Sequence, residues 1–560
     1  MDRTFPSFAF ALFTFATVAL ASLLPPPAFA VEANARLSAA ASITTSEVKS
    51  HVEVLADDTF EGREAGTRGN RAAGLYIIEE LKKYGILPGA EGTSYYQTGP
   101  QSNSILGFVP GRDPDLKHEV ILVGAHYDHV GYGTARNSYG PLGYIHNGAD
   151  DNASGVSSLL EVAQALSQLP EKPRRSILLA FWDGEEKGLW GSKYWVEHPT
   201  VPLKNLRAAI NIDMVGRLRN NDLTIYGVRT APGLRQLVAE GNEGPLTLDF
   251  DWTIKGDSDH YSFYSANIPI VMLHTGLHGD YHRPSDDVEK INNEGLKDVS
   301  QLLFNLTLNL AEAPELGKFR SQASVESEFI KRGLERTLPP PKGRLGLRWD
   351  SIAARDGRIV VAAVTPGSPA DKAGLRAGDR LLSFAGQALN DAEQFRLAVL
   401  AAENPVQVTF ERAAPRATGV ANESDPVATE TNAESKPLEV ELQLDGPPVR
   451  LGIGWREDLA EPGVIIVNRL TPGSPADKVG IRSGDRIYRI NGQSFSGGNE
   501  FRDLAQSLPD PITLDVETRG KVRSVELPAI QSSAPAAEAT PASDAAEPPT
   551  DADAIQSDES

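Results

Sequence analysis

Four short apolar runs rich in branched side chains lie between Glu119 and Thr275: "EVILVGAH", "RSILLAFW", "LRAAINID" and "IPIVMLHT". Their composition predicts strands buried on both faces, as in a parallel sheet. Between the first two lies a helical segment, "SGVSSLLEVAQALSQL". Upstream, "SEVKSHVEVLADD" and "GNRAAGLYIIEELKKYG" also read as helices. In the latter, Leu75, Ile78 and Leu81 recur every three residues and Gly85 marks the end. Downstream, "NEGLKDVSQLLFNLTLNLAEA" is the final helix of this region, ending near Ala313. Strands alternating with helices predict an α/β fold over residues 45–313, with a mostly parallel sheet flanked by helices. Sites in such sheets form beyond the carboxyl ends of the strands.

Four of five metal-ligand candidates fall at or just past the end of a strand run or in the turn entering a helix. The five are His126 in "VGAHYDH", Asp151 in "GADDNASG", Glu186 in "WDGEEKG", Asp213 in "NIDMVG" and His282 in "DYHRPSD". Taken singly, the motifs read as a strand edge, a helix-capping turn with Asn152 or Ser154 as cap, and a solvated loop. Taken in order, two imidazoles and three carboxylates suit a pair of zinc ions. Glu185 is a spare carboxylate able to take a proton from water. Asp128, two residues past His126, is placed to orient its ring. Of the 10 histidines, all but His51 lie between His118 and His282. His129, His146, His260, His274 and His278 carry no ligand assignment, and His260 is a candidate pocket residue. The aromatic-rich loop Tyr132–Tyr144 is a candidate border of the entrance.

A formal charge of −21 argues against nucleic acid and anionic membrane surfaces as partners. The absence of cysteine excludes disulfides, thiolate ligands and a cysteine nucleophile. Phe8 to Leu24 is apolar and is followed by Pro25–Pro27 and "AFA", which reads as a signal peptide over residues 1–30 cleaved after Ala30. Export to the periplasm or the extracellular medium is therefore expected, without stable membrane insertion after cleavage.

Behind a connector at 314–342 comes an internal repeat. "VTPGSPADKAGLRAGDRLLSFAGQ" (Val364 to Gln387) returns as "LTPGSPADKVGIRSGDRIYRINGQ" (Leu470 to Gln493). Each copy is preceded by an "LG-apolar" segment, Leu345-Gly346-Leu347 or Leu451-Gly452-Ile453. The repeat resembles PDZ domains, small and β-rich, over 343–444 and 448–530. The stretch Ala413 to Ser435 has no apolar period and reads as a disordered insertion in the last hairpin of the first copy, with "LEVEL" as its closing strand. Residues 531–560 read as a disordered acidic tail. The PDZ resemblance implies binding of peptide C-termini or partners by strand addition, the LG loops taking the carboxylate. Such domains are expected to hold substrate near the catalytic region and to be removable by truncation near Leu338.

The motifs "GAHYDH", "GADDNASG", "DGEEKGLWGS", "NIDMVG" and "DYHRPSDD" together resemble the di-zinc aminopeptidases of bacterial leucyl aminopeptidase and aminopeptidase Y type. That resemblance implies a zinc exopeptidase-like fold and two Zn2+ ions as cofactors, although cobalt and manganese share such ligands. Asp151 would bridge, His126 and Asp213 would complete one site, and Glu186 and His282 the other. Glu185 would be the general base, and Tyr281 would donate to the developing oxyanion. The substrates implied are peptides or proteins cleaved at the N-terminus. The alternatives are a glutaminyl cyclase on the same fold, and a PDZ-based binding protein with an inactive peptidase scaffold.

Overall fold

The computed structural model describes residues 33–412 and 436–528. The expected signal peptide, the expected insertion at 413–435 and the acidic tail lie outside the described residues. The chain divides into two compact units. The first comprises Met1–Ala231, Gly241–Leu246 and Ile254–Ser321; the second comprises Pro232–Glu240, Thr247–Thr253 and Gln322–Ser560.

The strands of the first unit are β1 (Leu87–Pro88), β2 (Tyr96–Thr98), β3 (Asn103–Val109), β4 (Val120–His126), β5 (Ser176–Trp182), β6 (Leu206–Ile212) and β7 (Asp222–Tyr226); β8 (Thr247–Asp251) falls in the second unit, and β9 (Ile270–His274) returns to the first. Within the first unit the order is β1-β3-β5-β4-β6-β9-β7, with β2 beside β3. β4 pairs in parallel with β5 and β6, and β6 in parallel with β9. β3 and β7 join antiparallel on either side. The four apolar runs are thus the parallel centre. Every residue of β4 and β5 is buried, and each large aliphatic side chain so covered contributes about 1.5–3 kcal/mol.

The helices are α1 (Ala33–Ala41), α2 (Thr45–Leu55), α3 (Arg68–Lys83), α4 (Gly155–Gln168), α5 (Trp190–Glu197), α6 (Leu234–Gly241), α7 (His260–Ser265) and α8 (Asn293–Glu312). α4 is buried along most of its length and packs between α2 and α8. α3 begins where the Thr67 hydroxyl accepts from Asn70 N, and it ends before Gly85 at φ +68°. Its buried face is Ala73, Ile77, Ile78 and Leu81. Leu75, part of the expected apolar stripe, is 58% exposed because it points away from this face.

The second unit contains the two repeats, each an antiparallel sheet with the same strand order. The first runs Leu347–Trp349, Ile359–Val364, Arg380–Phe384, Val406–Glu411, Leu438–Leu442. The second runs Ile453–Arg456, Ile465–Leu470, Arg486–Ile490, Ile512–Thr518, Lys521–Leu527. Leu438–Leu442 pairs with Val406–Glu411 as Lys521–Leu527 pairs with Ile512–Thr518. Each sheet has its own core, around Phe384 and Phe395 in one and Phe495 and Phe501 in the other.

Most of α6, together with β8, belongs to this second unit, although its sequence position lies inside the expected catalytic region. Arg235 on α6 donates twice to Glu517, at 2.9 and 2.8 Å, and lies 4.0 Å over the Phe250 ring of β8. Glu517 also accepts from the Tyr488 hydroxyl at 2.7 Å. Leu248 N donates to Arg519 O at 3.0 Å, and Arg489 pairs with Glu240 at 2.9 Å. A cut near Leu338 therefore removes the partners of α6 and β8. Among the described residues no helix is long and apolar enough to cross a membrane.

Candidate active site

His126 is the last residue of β4, Asp213 follows β6 directly, and Glu185 and Glu186 lie in the loop after β5. Asp151 sits in the turn Ala149–Ser154 that enters α4, and His282 lies in the loop after β9. The fold brings these side chains together. His126 Nε2 lies 3.3 Å from Asp151 Oδ1 and 3.3 Å from Asp213 Oδ1. His282 Nε2 lies 3.2 Å from Asp151 Oδ2 and 3.1 Å from Glu186 Oε2. Asp151 thus turns one oxygen to each group. Ligand atoms at these separations fit around zinc, whose tetrahedral N and O ligands stand about 3.3–3.6 Å apart.

Local bonding explains why the chain turns as it does. The Asn152 side chain donates to Ile212 O at 2.9 Å and accepts from Gly155 N at 3.0 Å, tying the turn to the end of β6 and capping α4. Asp286 Oδ2 accepts from the backbone N of both Asp150 and Asp151, each at 3.0 Å. Asp150 faces away from the cluster: it accepts from Gly216 N at 2.6 Å and meets His278 Nε2 at 3.0 Å. Gly148 has φ +58°, and a Cβ there would come within 2.1 Å of Asp151 O, so only glycine fits. His282 itself holds φ +51°, an uncommon conformation for a side-chain-bearing residue.

Asp128 meets both the acidic loop and the His126 ring. Its carboxylate accepts from Glu185 N at 3.0 Å and Glu186 N at 3.4 Å, so it caps the acidic loop. The ring of His126 turns Nδ1 toward the backbone oxygen of Asp128 at 3.2 Å, with the carboxylate farther off at 3.7 Å.

Two residues escaped the sequence reading. His129 is fully buried, with Nδ1 3.0 Å from Glu186 Oε1. Its place three residues past His126 in "HYDH" gives no sign of that contact. Arg63 is buried beneath the turn and donates to four backbone oxygens, those of Tyr127, Leu55, Asn147 and Gly148. Burial lowers its guanidinium to about 10, against the pull of Asp151 and Asp128, and it stays charged under the acidic cluster. No periodicity marks a lone arginine bonded to carbonyls.

The side chains of the cluster polarise one another strongly. Burial opposes ionisation of Asp151, but His129, His126 and His282 hold it well below the usual carboxylate range. Burial would lower His282; Asp151 and Glu186 instead push it up to about 10. Burial raises the Glu185 carboxyl well above its usual range, opposed by His126. Tyr281 stacks on His282 with centroids 3.9 Å apart, and burial beside Asp151 and Glu186 keeps its phenol protonated. These groups line a cavity of about 350 Å³, bounded on its other side by Tyr226, His260, Met272 and Leu277. Tyr139, from the aromatic loop, lies 6.0 Å from Tyr281 by ring centroid.

Residues 104–307 match Peptidase family M28, and residues 360–412 and 466–518 each match the PDZ domain. The chain carries an M28 peptidase domain. It is a zinc metallopeptidase, with two PDZ domains after the M28 domain in sequence. Leupeptin-inactivating enzyme 1 of Streptomyces exfoliatus is 26% identical over 362 residues, 62% of this chain and 77% of that protein. Aminopeptidase YwaD of Bacillus subtilis is 30% identical over 221 residues, 37% of this chain, and the match spans only 44% of YwaD. The LapA aminopeptidase of Legionella pneumophila superposes with a TM-score of 0.43 at 20% identity, over 52% of this chain and 79% of that one. All five ligand candidates and Glu185 lie inside the M28 match.

Proposed function

We propose that this chain is an exported aminopeptidase that uses two zinc ions to release N-terminal residues from peptides. The observation that carries the reading is the carboxylate of Asp151, one oxygen facing His126 and the other facing His282. His126, Asp151 and Asp213 would hold one ion, and Asp151, Glu186 and His282 the other. Zinc there would polarise the scissile carbonyl and acidify the attacking water. Glu185 would accept the proton of that water and return it to the leaving amine. The Tyr281 phenol would donate to the oxygen that becomes negative in the transition state. Release from the amino end follows the sequence similarity to a protein named as an aminopeptidase.

The PDZ domains would bind peptide C-termini. Their LG loops hold Gly346 at φ +75° and Gly452 at φ +86°, packed on Ser368 and Ser474. Arg344 donates to Val399, Leu400 and Ala402 oxygens, and Arg450 to Ala505 and Gln506 oxygens. Both guanidiniums are thus engaged at helix ends, and the loops would offer backbone amides to a carboxylate.

The test is hydrolysis of matched peptides with free and blocked N-termini, before and after chelation. Cleavage restricted to free N-termini, abolished by chelator and restored by zinc, is expected. Cleavage of blocked peptides at internal bonds would overturn the reading.

A further inference from the structure

The two halves of the cluster are unequal. On the His126 side, one imidazole and two carboxylates converge: Asp151 and Asp213, each 3.3 Å from His126 Nε2. On the other side there are four groups, because His129 joins Asp151, Glu186 and His282. His129 Nδ1 lies 3.0 Å from Glu186 Oε1 and 3.7 Å from Asp151 Oδ2. His282 Nε2 stands 3.1 and 3.2 Å from the same two carboxylates. The four separations run from 3.0 to 3.7 Å, around the spacing of about 3.3–3.6 Å between ligands of one tetrahedral zinc, with His129 facing Oε1 of Glu186 and His282 facing Oε2.

Three further observations bear on His129. Its side chain has no exposed surface. Its outer nitrogen, Nε2, is buried without a hydrogen-bond partner, so no outer hydrogen bond sets the ring. Packing sets it instead: a Cβ on Gly148 would fall 2.5 Å from His129 Cδ2, so the ring lies against bare backbone. The ring is thereby fixed with Nδ1 toward the carboxylates.

We propose that His129 is a fourth protein ligand, closing a tetrahedral zinc site with Asp151, Glu186 and His282. The site at His126, Asp151 and Asp213 keeps three protein ligands and one open position. This rests on the two-zinc reading above and adds a division of labour to it. Closed four-ligand sites are structural in character, whereas three ligands with an open position are the catalytic pattern. The closed site fills first and holds its ion. Substrate oxygen and the attacking water belong at the His126 side, next to Glu185.

The alternative for His129 is a hydrogen bond from Nδ1–H to Glu186, which would make it a positioning residue. His129→Asn separates the two, since the Asn amide can donate to Glu186 but is a poor zinc ligand. The experiment titrates the chelated full-length chain with zinc by calorimetry, and with cobalt(II) by visible absorption. Wild type is expected to bind two ions in unequal steps, the first cobalt equivalent giving strong four-coordinate bands. His129→Asn should lose those bands and weaken the first step at least about a hundredfold, the upper end for loss of an outer partner. His126→Asn should spare the first step and remove the second. A smaller loss in His129→Asn, or weak first-equivalent bands in wild type itself, overturns the proposal while leaving two-ion binding intact. Binding of fewer than two ions by wild type would instead overturn the two-zinc reading.

Discussion

Glu185 and Glu186 are neighbours with the same side chain, and the fold gives them different surroundings. Glu186 reaches His129 and His282 at 3.0 and 3.1 Å. Glu185 shares the cavity with the cluster, and its carboxyl is pushed up mainly by burial. Glu185→Gln is expected to retain close to wild-type metal content while turnover falls at least about a hundredfold. Glu186→Gln should instead lower metal content, read by elemental analysis beside the rate. If Glu185→Gln sheds metal and Glu186→Gln keeps it, the roles are exchanged. The five ligand candidates were readable because each sits in its own short motif, four of them at a strand end or helix entry and His282 in a loop. His129 was not, since nothing in "HYDH" says that a chain leaving β4 folds its second imidazole back on the carboxylates. Arg63 was not either, because carbonyl oxygens that enclose a guanidinium leave no trace in side-chain pattern.

Among the elements, the parallel centre was legible because doubly buried strands must be apolar throughout. β7 and β8 were not, being five residues each with polar positions interleaved. That α6 and β8 belong with the second PDZ domain was equally hidden, as Arg235 and Glu517 are 282 positions apart. Burial alone would raise the Glu517 carboxyl; Arg235, Arg486 and the Tyr488 hydroxyl outweigh it and hold it at about 2. An unfolded glutamate titrates near about 4.3. A depressed folded value gives stability that is full above that pH and lost as pH falls toward 2. Thermal denaturation of the second unit should therefore weaken through this acid window, and a flat response would contradict the pairing. Arg235→Leu leaves a buried unpaired carboxylate and is expected to cost about 3–5 kcal/mol. Adding Glu517→Leu should recover much of that loss, which a double-mutant cycle by denaturant unfolding would measure.

At the scale of the whole molecule, the M28 and PDZ domains share one chain, and the contributions proposed for them would separate by choice of substrate. Gly452→Val would place side-chain atoms where a Cβ already lies 2.0 Å from Ser474 Cβ. It is expected to lower hydrolysis of long peptides severalfold and to leave small aminoacyl amides unchanged. Equal loss on both, by parallel steady-state assays, would make the PDZ domains structural supports only. Export predicts a mature chain beginning at Val31, read by N-terminal sequencing of protein from the native envelope; intact Met1 there would refute it.

The clamp between Arg235 and Glu517 also orders events at the ribosome. Residue 235 emerges long before its partner 282 positions on, and at about 5–20 residues per second that stretch takes some tens of seconds to appear. During that interval Arg235 and Leu248 have been made but lack Glu517 and Arg519, their later partners. These pairings therefore form only when the hairpin of Ile512–Thr518 and Lys521–Leu527 has been synthesised, and nonsense truncation anywhere before Glu517 leaves the Arg235 guanidinium without its carboxylate.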